Sequence, residues 1–131
     1  MSECIFCRIV TGEIGARIVH ADDEAIAFLD LEPFKRGHTL VVPRRHVANI
    51  LDDPSVLAGI APAIAATGKL LMDRLGATGL NVLSNVNEVA GQSVFHLHMH
   101  LVPRYDDDPG MGGLLRRTTS DLDEVFGALT A

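Results

Sequence analysis

Three histidines alternate with apolar residues in one short segment of the chain, His96-Leu97-His98-Met99-His100-Leu101-Val102. Successive side chains of a β-strand point to opposite faces of the sheet. The spacing therefore predicts a strand with its apolar residues in the core and its three imidazoles along a cleft. Burying three adjacent imidazoles is costly unless they have partners, and exposing all three on one face serves no structural purpose. The alternation indicates a functional surface.

Two kinds of chemistry use imidazoles at this spacing. Alternate strand positions can converge on a metal ion, with zinc–nitrogen distances of about 2.0–2.1 Å. Alternatively, one neutral imidazole can attack phosphorus as a nucleophile, forming a phosphoramidate that water later hydrolyses. The residues that precede His96 favour phosphate chemistry. Gly91, Gln92 and Ser93 offer a close backbone approach, an amide and a hydroxyl, and such a turn can point N–H groups at phosphate oxygens.

The composition limits the classes of protein to consider. The 131 residues, 47% apolar and 21% charged, predict a single domain over 1–131. We find no apolar run near the length of about 20 residues that spans a membrane and no secretory signal at the start. We therefore expect a cytoplasmic protein that binds no membrane and has no structural disulfide. The net charge of −6 argues against nucleic-acid binding, which needs clustered lysine and arginine.

Hydrophobic periodicity and turn residues predict the elements that position these side chains. The predicted strands cover residues 16–20, 25–29, 38–42, 80–85 and 96–102. A main helix follows Asp53-Pro54 and ends before Gly76, with a kink or break expected at Pro62. Residues 105–119 have the composition of a mobile loop, and 121–129 form a terminal helix. The expected fold class is α+β: an antiparallel sheet of about five strands, one main helix and short terminal helices.

Several segments together resemble the histidine triad (HIT) family of nucleotide hydrolases and transferases, whose motif is His-φ-His-φ-His-φ-φ, where φ is apolar. The matching segments are 4–7, 28–31, 37–46 and 91–104. The resemblance covers about residues 3–105 and implies a HIT-like fold. It also implies a homodimer in which the C-terminal loop and helix, 106–131, approach the partner's site and select the substrate.

The resemblance implies a role for each residue of a nucleotide site. His98 would be the nucleophile on the α-phosphate, with His100 on the phosphate and leaving group, His38 supporting them and Ser93 holding the phosphate. Asp30 would bind the ribose hydroxyls. The other implied nucleotide contacts are Asn85, Gly91 and Gln92 near the phosphate and Ile5, Phe6, Ile9 and Leu31 around the base.

The activity implied is cleavage of a purine nucleoside 5′-monophosphate, AMP in type, from an amine or phosphoryl leaving group. The reaction would pass through a covalent nucleotidyl-histidine intermediate. Two alternatives stay open: a diadenosine polyphosphate hydrolase of the same family, and a nucleotide-binding interaction module with little catalysis.

The pair Cys4-x-x-Cys7 has three interpretations: two buried small residues, a redox pair, or half of a zinc site. A redox pair is disfavoured because Cys4 lies too near the start for a preceding strand. Two more ligands would complete a Cys₂His₂ zinc site, and the bacterial HIT proteins that share this start imply His46 and His96. A closed tetrahedral site leaves no open position for substrate, so the zinc would be structural and not catalytic.

Overall fold

A computed structural model describes residues 3–112 and 115–131 and confirms the predicted fold class. The helices are α1 (Ile5–Val10), α2 (Pro54–Leu75) and α3 (Leu122–Thr130), with a short 3₁₀ turn at Glu88–Ala90. The strands are β1 (Ile18–Ala21), β2 (Ala25–Leu29), β3 (Thr39–Pro43), β4 (Gly79–Leu83) and β5 (Met99–Arg104). All strand pairs are antiparallel, and the order across the sheet is β1-β2-β3-β5-β4.

The pairing of β3 with β5 brings together two of the histidines that were predicted for the site. Leu40 lies opposite His100 in this pairing, so the residue that precedes β3, His38, comes next to His100 although the two are far apart in sequence. The core behind these strands is formed by buried apolar side chains of β2, β3, β5 and α2. The chemistry-bearing residues are thus attached to the best-packed part of the sheet.

The main helix α2 begins and ends where the capping residues predict. The Asp53 side chain accepts from the Ser55 N–H at 2.9 Å, and Gly76 ends the helix in the left-handed conformation. Of the kink or break expected at Pro62, the break was wrong, because α2 is one uninterrupted helix. Pro62 lies on the exposed face, where water can satisfy the carbonyl that its missing N–H would have bonded.

By length and composition α2 could cross a membrane, with a mean hydropathy of 1.5 in its most apolar 18-residue window. This departs from the sequence expectation that no apolar segment approaches a membrane span. The helix packs one face against the sheet, with Val56, Ile60, Ala63 and Leu71 in the main core cluster. That packing is typical of a core helix.

The predicted histidine strand is shorter than expected. Strand β5 begins only at Met99, so His96 and His98 precede it and the three imidazoles do not share one strand face. The backbone there bonds outside the sheet, with the Leu97 N–H donating to the Val47 carbonyl at 2.7 Å. The apolar side of the alternation is confirmed, because Leu97 and Leu101 are fully buried in the core.

The first residues of the segment predicted to be a mobile loop, 105–110, are tied to their surroundings. The Arg104 guanidinium donates to the carbonyls of Asp108 and Gly110 at 2.8 and 2.7 Å, and the Tyr105 hydroxyl donates to the Arg36 carbonyl. Lys35 forms an ion pair with Asp108. Residues 113–114 of the predicted loop lie outside the described residues.

Gly37 combines a backbone conformation and a contact that favour glycine. Its φ is +86°, and a Cβ there would meet Leu75 Cδ1 at 2.3 Å. Gly12 has a φ of +79° but open space around it, while Gly15 has neither constraint. We expect Gly12→Ala to cost about 1 kcal/mol of unfolding free energy through backbone strain, Gly37→Ala more than that, and Gly15→Ala nothing. Urea denaturation of the three variants measures this order, and equal stabilities for Gly37→Ala and Gly15→Ala would contradict it.

Candidate active site

A pocket of about 470 Å³ lies between α1, the end of β2 and the segment that leads into β5. Its lining combines apolar side chains from α1 and β2 with a small group of polar ones. The polar residues that were predicted for the site and line it are Asp30, Ser93, His98 and His100. Such a combination suits a ligand with a flat apolar part and an anionic part.

A backbone N–H fixes the position of the proton on the buried imidazole of His38. The Phe34 N–H donates to His38 Nδ1 at 3.0 Å, so a neutral His38 carries its proton on Nε2. His38 Nε2 in turn donates to His100 Nδ1 at 2.9 Å. His100, being neutral, must therefore carry its own proton on Nε2. His100 lines the pocket and is a hydrogen-bond donor at this nitrogen.

His98 has the opposite arrangement. Its Nδ1 donates to the His96 carbonyl at 2.8 Å, so Nε2 carries a lone pair and no proton when the ring is neutral. The ring is held edge-on between Phe6 and His100, with ring centroids 5.1 and 5.0 Å away. His98 therefore offers a nucleophilic nitrogen and His100 an N–H donor to the same pocket.

Burial keeps the supporting imidazoles uncharged at neutral pH. Burial, helped by the nearby His98 and His38, lowers the pKa of His100 to about 4, against an opposing effect of the Asp30 carboxylate. Burial also lowers the pKa of His38, which Asp30 partly offsets. Because neither ring is charged near pH 7, the proton positions described above are the ones that a substrate would meet.

Asp30 connects the pocket to the histidines. Its Oδ1 accepts from the Glu32 N–H at 2.8 Å, and its Oδ2 lies 3.5 Å from His38 Nε2. The carboxylate lines the pocket beside Leu31, which is 84% exposed. The structure thus brings together the predicted ribose-binding residue and the histidines that were predicted to be catalytic.

Gln92, predicted to contact the nucleotide, has a buried side chain that is occupied by the backbone. Its Oε1 accepts from the Asn87 N–H at 2.8 Å, and its Nε2 donates to the carbonyls of Ala48 and Val94 at 2.6 and 3.1 Å. These bonds connect the turn before Ser93 to the segment after β3. The Gln92 side chain therefore positions the turn and has no free donor for a phosphate.

Asn85 and Gly91 lie beside each other, and neither lines the pocket. A Cβ on Gly91, whose φ is +102°, would come within 3.3 Å of Asn85 Nδ2. Their predicted phosphate contacts stay predictions. By contrast, Ile5, Phe6 and Ile9 all line the pocket from α1, as predicted for the base.

Several residues of the site were not predicted from the sequence. Ile14, Phe28 and Val94 extend the apolar lining, and alternation along the predicted second strand could have indicated Phe28. Phe34 stacks on His38 with ring centroids 5.0 Å apart. No spacing or motif indicates Phe34, because the contact depends on the turn between β2 and β3.

Cys4, Cys7, His46 and His96 form a second cluster, next to the pocket. His96 Nε2 donates to the Pro43 carbonyl at 2.8 Å, which leaves the Nδ1 lone pair facing the sulfurs of Cys4 and Cys7 at 3.5 and 3.4 Å. His46 Nδ1 lies 3.2 Å from both Cys7 Sγ and His96 Nδ1.

These distances fit a tetrahedral metal ion. Around zinc at ordinary bond lengths, sulfur and nitrogen ligands lie about 3.6 Å apart and two nitrogens about 3.3 Å apart. The outward N–H of His96 also has the carbonyl partner that metal-binding histidines usually have. The predicted ligand set could therefore hold a metal.

Asp30, His38 and His100 also bring ligand atoms close together, but their chemistry does not suit a metal. The nitrogen of His38 that faces this cluster, Nε2, carries the proton because Nδ1 accepts from Phe34. A metal at Nε2 would leave that ring with no proton on either nitrogen. This cluster is better described as a hydrogen-bond relay.

Comparison with known proteins agrees with this site. Residues 11–107 match the HIT domain family. An uncharacterised HIT-like protein of Methanocaldococcus jannaschii is 41% identical over 124 residues, which cover 94% of this chain and 95% of that protein. The adenylylsulfatase HINT3 of Arabidopsis thaliana is 32% identical over 132 residues, 99% of this chain and 67% of that protein. The crystal structure of SMU.412c from Streptococcus mutans has a TM-score of 0.88 at 38% identity, over 99% of this chain and 82% of that chain.

The chain belongs to the HIT family, whose members are nucleotide-binding, hydrolase-like proteins.

The lowered pKa of His100 predicts a pH-dependent stability. Between pH 6.5 and about 4 the unfolded chain binds a proton at His100 that the folded chain does not, so the unfolding free energy falls as the pH falls through this range. His100→Asn cannot titrate, so the stability difference between the two proteins should change by up to about 1.4 kcal/mol per pH unit. Urea denaturation at pH 7, 5.5 and 4.5 measures the two slopes, and identical slopes would exclude this assignment.

Proposed function

We propose that this protein cleaves a purine nucleoside 5′-monophosphate, AMP in type, from an amine or phosphoryl leaving group, through a covalent nucleotidyl-His98 intermediate. The observation that supports this most directly is the opposite proton placement of two adjacent imidazoles. His98 has an unprotonated Nε2 because its Nδ1 is bonded to a carbonyl. His100 has a protonated Nε2 because its Nδ1 accepts from His38.

In the first step His98 Nε2 attacks the α-phosphorus and forms a P–N bond. The bond to the leaving group breaks, and the leaving group departs with its electron pair and takes up one proton from solvent. The ring becomes positively charged, which the carbonyl of His96 at Nδ1–H stabilises. The N–H of His100 and the hydroxyl of Ser93 are donors for the negative charge on the phosphate oxygens.

In the second step water attacks the phosphorus and breaks the bond to His98. The water supplies the hydroxyl of the released monophosphate and returns the proton that the leaving group consumed. The two steps together use one water molecule and restore the histidine. The apolar lining from Ile5, Phe6 and Ile9 would hold the base, and Asp30 the ribose hydroxyls.

Replacing the nucleophile should abolish turnover but retain binding. We expect His98→Ala to lower the rate on an AMP amide by at least about 1,000-fold, with nucleotide affinity largely unchanged because base and ribose contacts remain. His20→Ala, which alters a histidine outside the pocket lining, is the control. Near-normal turnover by His98→Ala would exclude the mechanism.

Intact-mass measurement separates an enzyme from a binding module. In His100→Asn, rapidly mixed with the AMP amide, we expect a mass increase of one nucleotidyl group, because attack still occurs while the later hydrolysis slows. The same mixture with the additional His98→Ala change should show no increase. Turnover without any adduct would favour direct attack by water, and the absence of both would favour the binding module.

We propose an amine as the preferred leaving group, and cleavage of a dinucleoside polyphosphate as the second choice. The relative from Arabidopsis is named an adenylylsulfatase, which adds an adenylyl sulfate to the substrates worth comparing. Rates on the AMP amide, diadenosine tetraphosphate and adenylyl sulfate, measured on one preparation, rank the three leaving groups.

We further propose a homodimer in a cytoplasmic setting, in which the C-terminal residues 106–131 of one subunit contribute to the partner's leaving-group site. Strand β4 forms one edge of the sheet, where another chain could pair. The apolar side chains of α3, including Phe126 and Leu129, are exposed. Both features favour association with a second copy.

The metal proposed for Cys4, Cys7, His46 and His96 is a structural zinc ion. When bound, zinc would link the start of α1, through Cys4 and Cys7, to His46 after β3 and to His96 in the segment before β5. With α1 fixed by these four residues, its apolar side chains, Phe6 among them, would keep their places in the lining of the pocket.

Zinc binding has a direct test. We expect about one zinc per chain in protein purified without chelator, and little in Cys4→Ser. Since a ligand at a hundredfold its Kd stabilises by about 2.7 kcal/mol, chelation should lower the unfolding free energy by at least that amount. His20→Ala should keep its zinc. A zinc-free wild type, or a Cys4→Ser variant that retains the metal, would contradict the proposal.

A further inference from the structure

Phe34 is an aromatic residue at the surface that covers two of the buried imidazoles. It lies in the turn between β2 and β3 and is 57% exposed. Its ring is nearly parallel to that of His38, with centroids 5.0 Å apart and an interplanar angle of 22°. It is also stacked over His100 at 6.3 Å and 29°. Phe34 is thus the outer layer of a stack that ends at the pocket.

The low exposure of the two imidazoles agrees with their being covered by the Phe34 ring. His38 is 2% exposed and His100 is 8% exposed, although His38 follows a surface turn and His100 faces it. The bond between them, His38 Nε2–H to His100 Nδ1, runs beneath the Phe34 ring. A hydrogen bond from which water is excluded is stronger than one that competes with water.

Phe34 therefore acts on the relay in two ways. Its backbone N–H selects the tautomer of His38, and its ring lies over the two imidazoles whose bond transmits that tautomer to His100. Any residue other than proline supplies the N–H, so substitution of the side chain tests the ring alone.

We propose that the Phe34 ring is a positioning element for the reaction at His98, because it holds the His38–His100 pair dry and in the one tautomer that presents the His100 N–H to the substrate. The proposal rests on the proposed function for its kinetic consequences. Its structural consequence, the state of His100, does not depend on any activity.

The groups that face His100 are known from the site. His98 and His38 lie on either side of it and lower its pKa, while Asp30 raises it. A Phe34 substitution leaves all three in place. A change in the titration of His100 in such a variant therefore reports the loss of the cover.

The test is Phe34→Ala, compared with Phe34→Tyr, which restores a flat ring, and with Leu51→Ala, which removes an exposed apolar side chain elsewhere. NMR titration of the ¹⁵N-labelled imidazoles should show the pKa of His100 rising by at least about one unit in Phe34→Ala, and unchanged in the other two. On an AMP amide, kcat should fall about 10-fold in Phe34→Ala, the value of one hydrogen bond, while KM stays within about twofold.

The outcomes are distinct. A His100 titration that is the same in Phe34→Ala and wild type overturns the proposal, as does a Phe34→Tyr variant that is impaired as much as Phe34→Ala. If Phe34→Ala does not fold, Phe34→Leu replaces it, with a smaller rise in the pKa of His100 expected. If no variant or wild type cleaves a nucleotide but the pKa of His100 responds as stated, the proposed function fails while the role of the ring stands.

Discussion

Each histidine of the triad uses one ring nitrogen to bond the protein, and this constraint decides what the other nitrogen can do. His96 and His98 donate to carbonyls, so each presents a lone pair on its second nitrogen. His100 accepts from His38, so it presents an N–H. Three residues of one type, two positions apart, thereby become suited to three different chemical roles: the proposed metal ligand, the proposed nucleophile, and a hydrogen-bond donor.

The fold supplies two of these bonds, those of His96 and His100, from distant parts of the chain. The Pro43 carbonyl that orients His96 ends β3, and His38, which orients His100, precedes the same strand. Strand β3 therefore acts at both of its ends on the histidines at and before β5. Strand β3 lies in the middle of the sheet and is fully buried, so the positions of these groups follow from a central, well-packed strand.

Much of this organisation could be predicted from the sequence. The alternation of apolar residues with the histidines placed Leu97 and Leu101 in the core, and the cap and proline at Asp53-Pro54 gave the start of α2 correctly. The uninterrupted helix through Pro62 could not be foreseen, because it depends on which helix face meets water. The short β5 has a similar cause: Leu97 bonds Val47 instead of a neighbouring strand.

The sequence predicted which residues belong to the candidate site better than it predicted their geometry. The motif identified the histidines, yet their proton positions depend on carbonyls and N–H groups that no sequence pattern locates. Gln92 belongs to the same motif, but its side chain bonds only the backbone. Phe34 gave no signal at all, since its contact with His38 arises from the path of a turn.

The proposed chemistry depends on the opposite placement of the ring protons on His98 and His100. Long-range ¹H–¹⁵N correlation spectra of the imidazoles at pH 7 measure this directly, because protonated and unprotonated ring nitrogens differ widely in ¹⁵N shift. We expect His98 to carry a proton on Nδ1 and a lone pair on Nε2, and His100 to be neutral with its proton on Nε2. A His98 that carries its proton on Nε2, or a His100 whose Nε2 is bare, would contradict it.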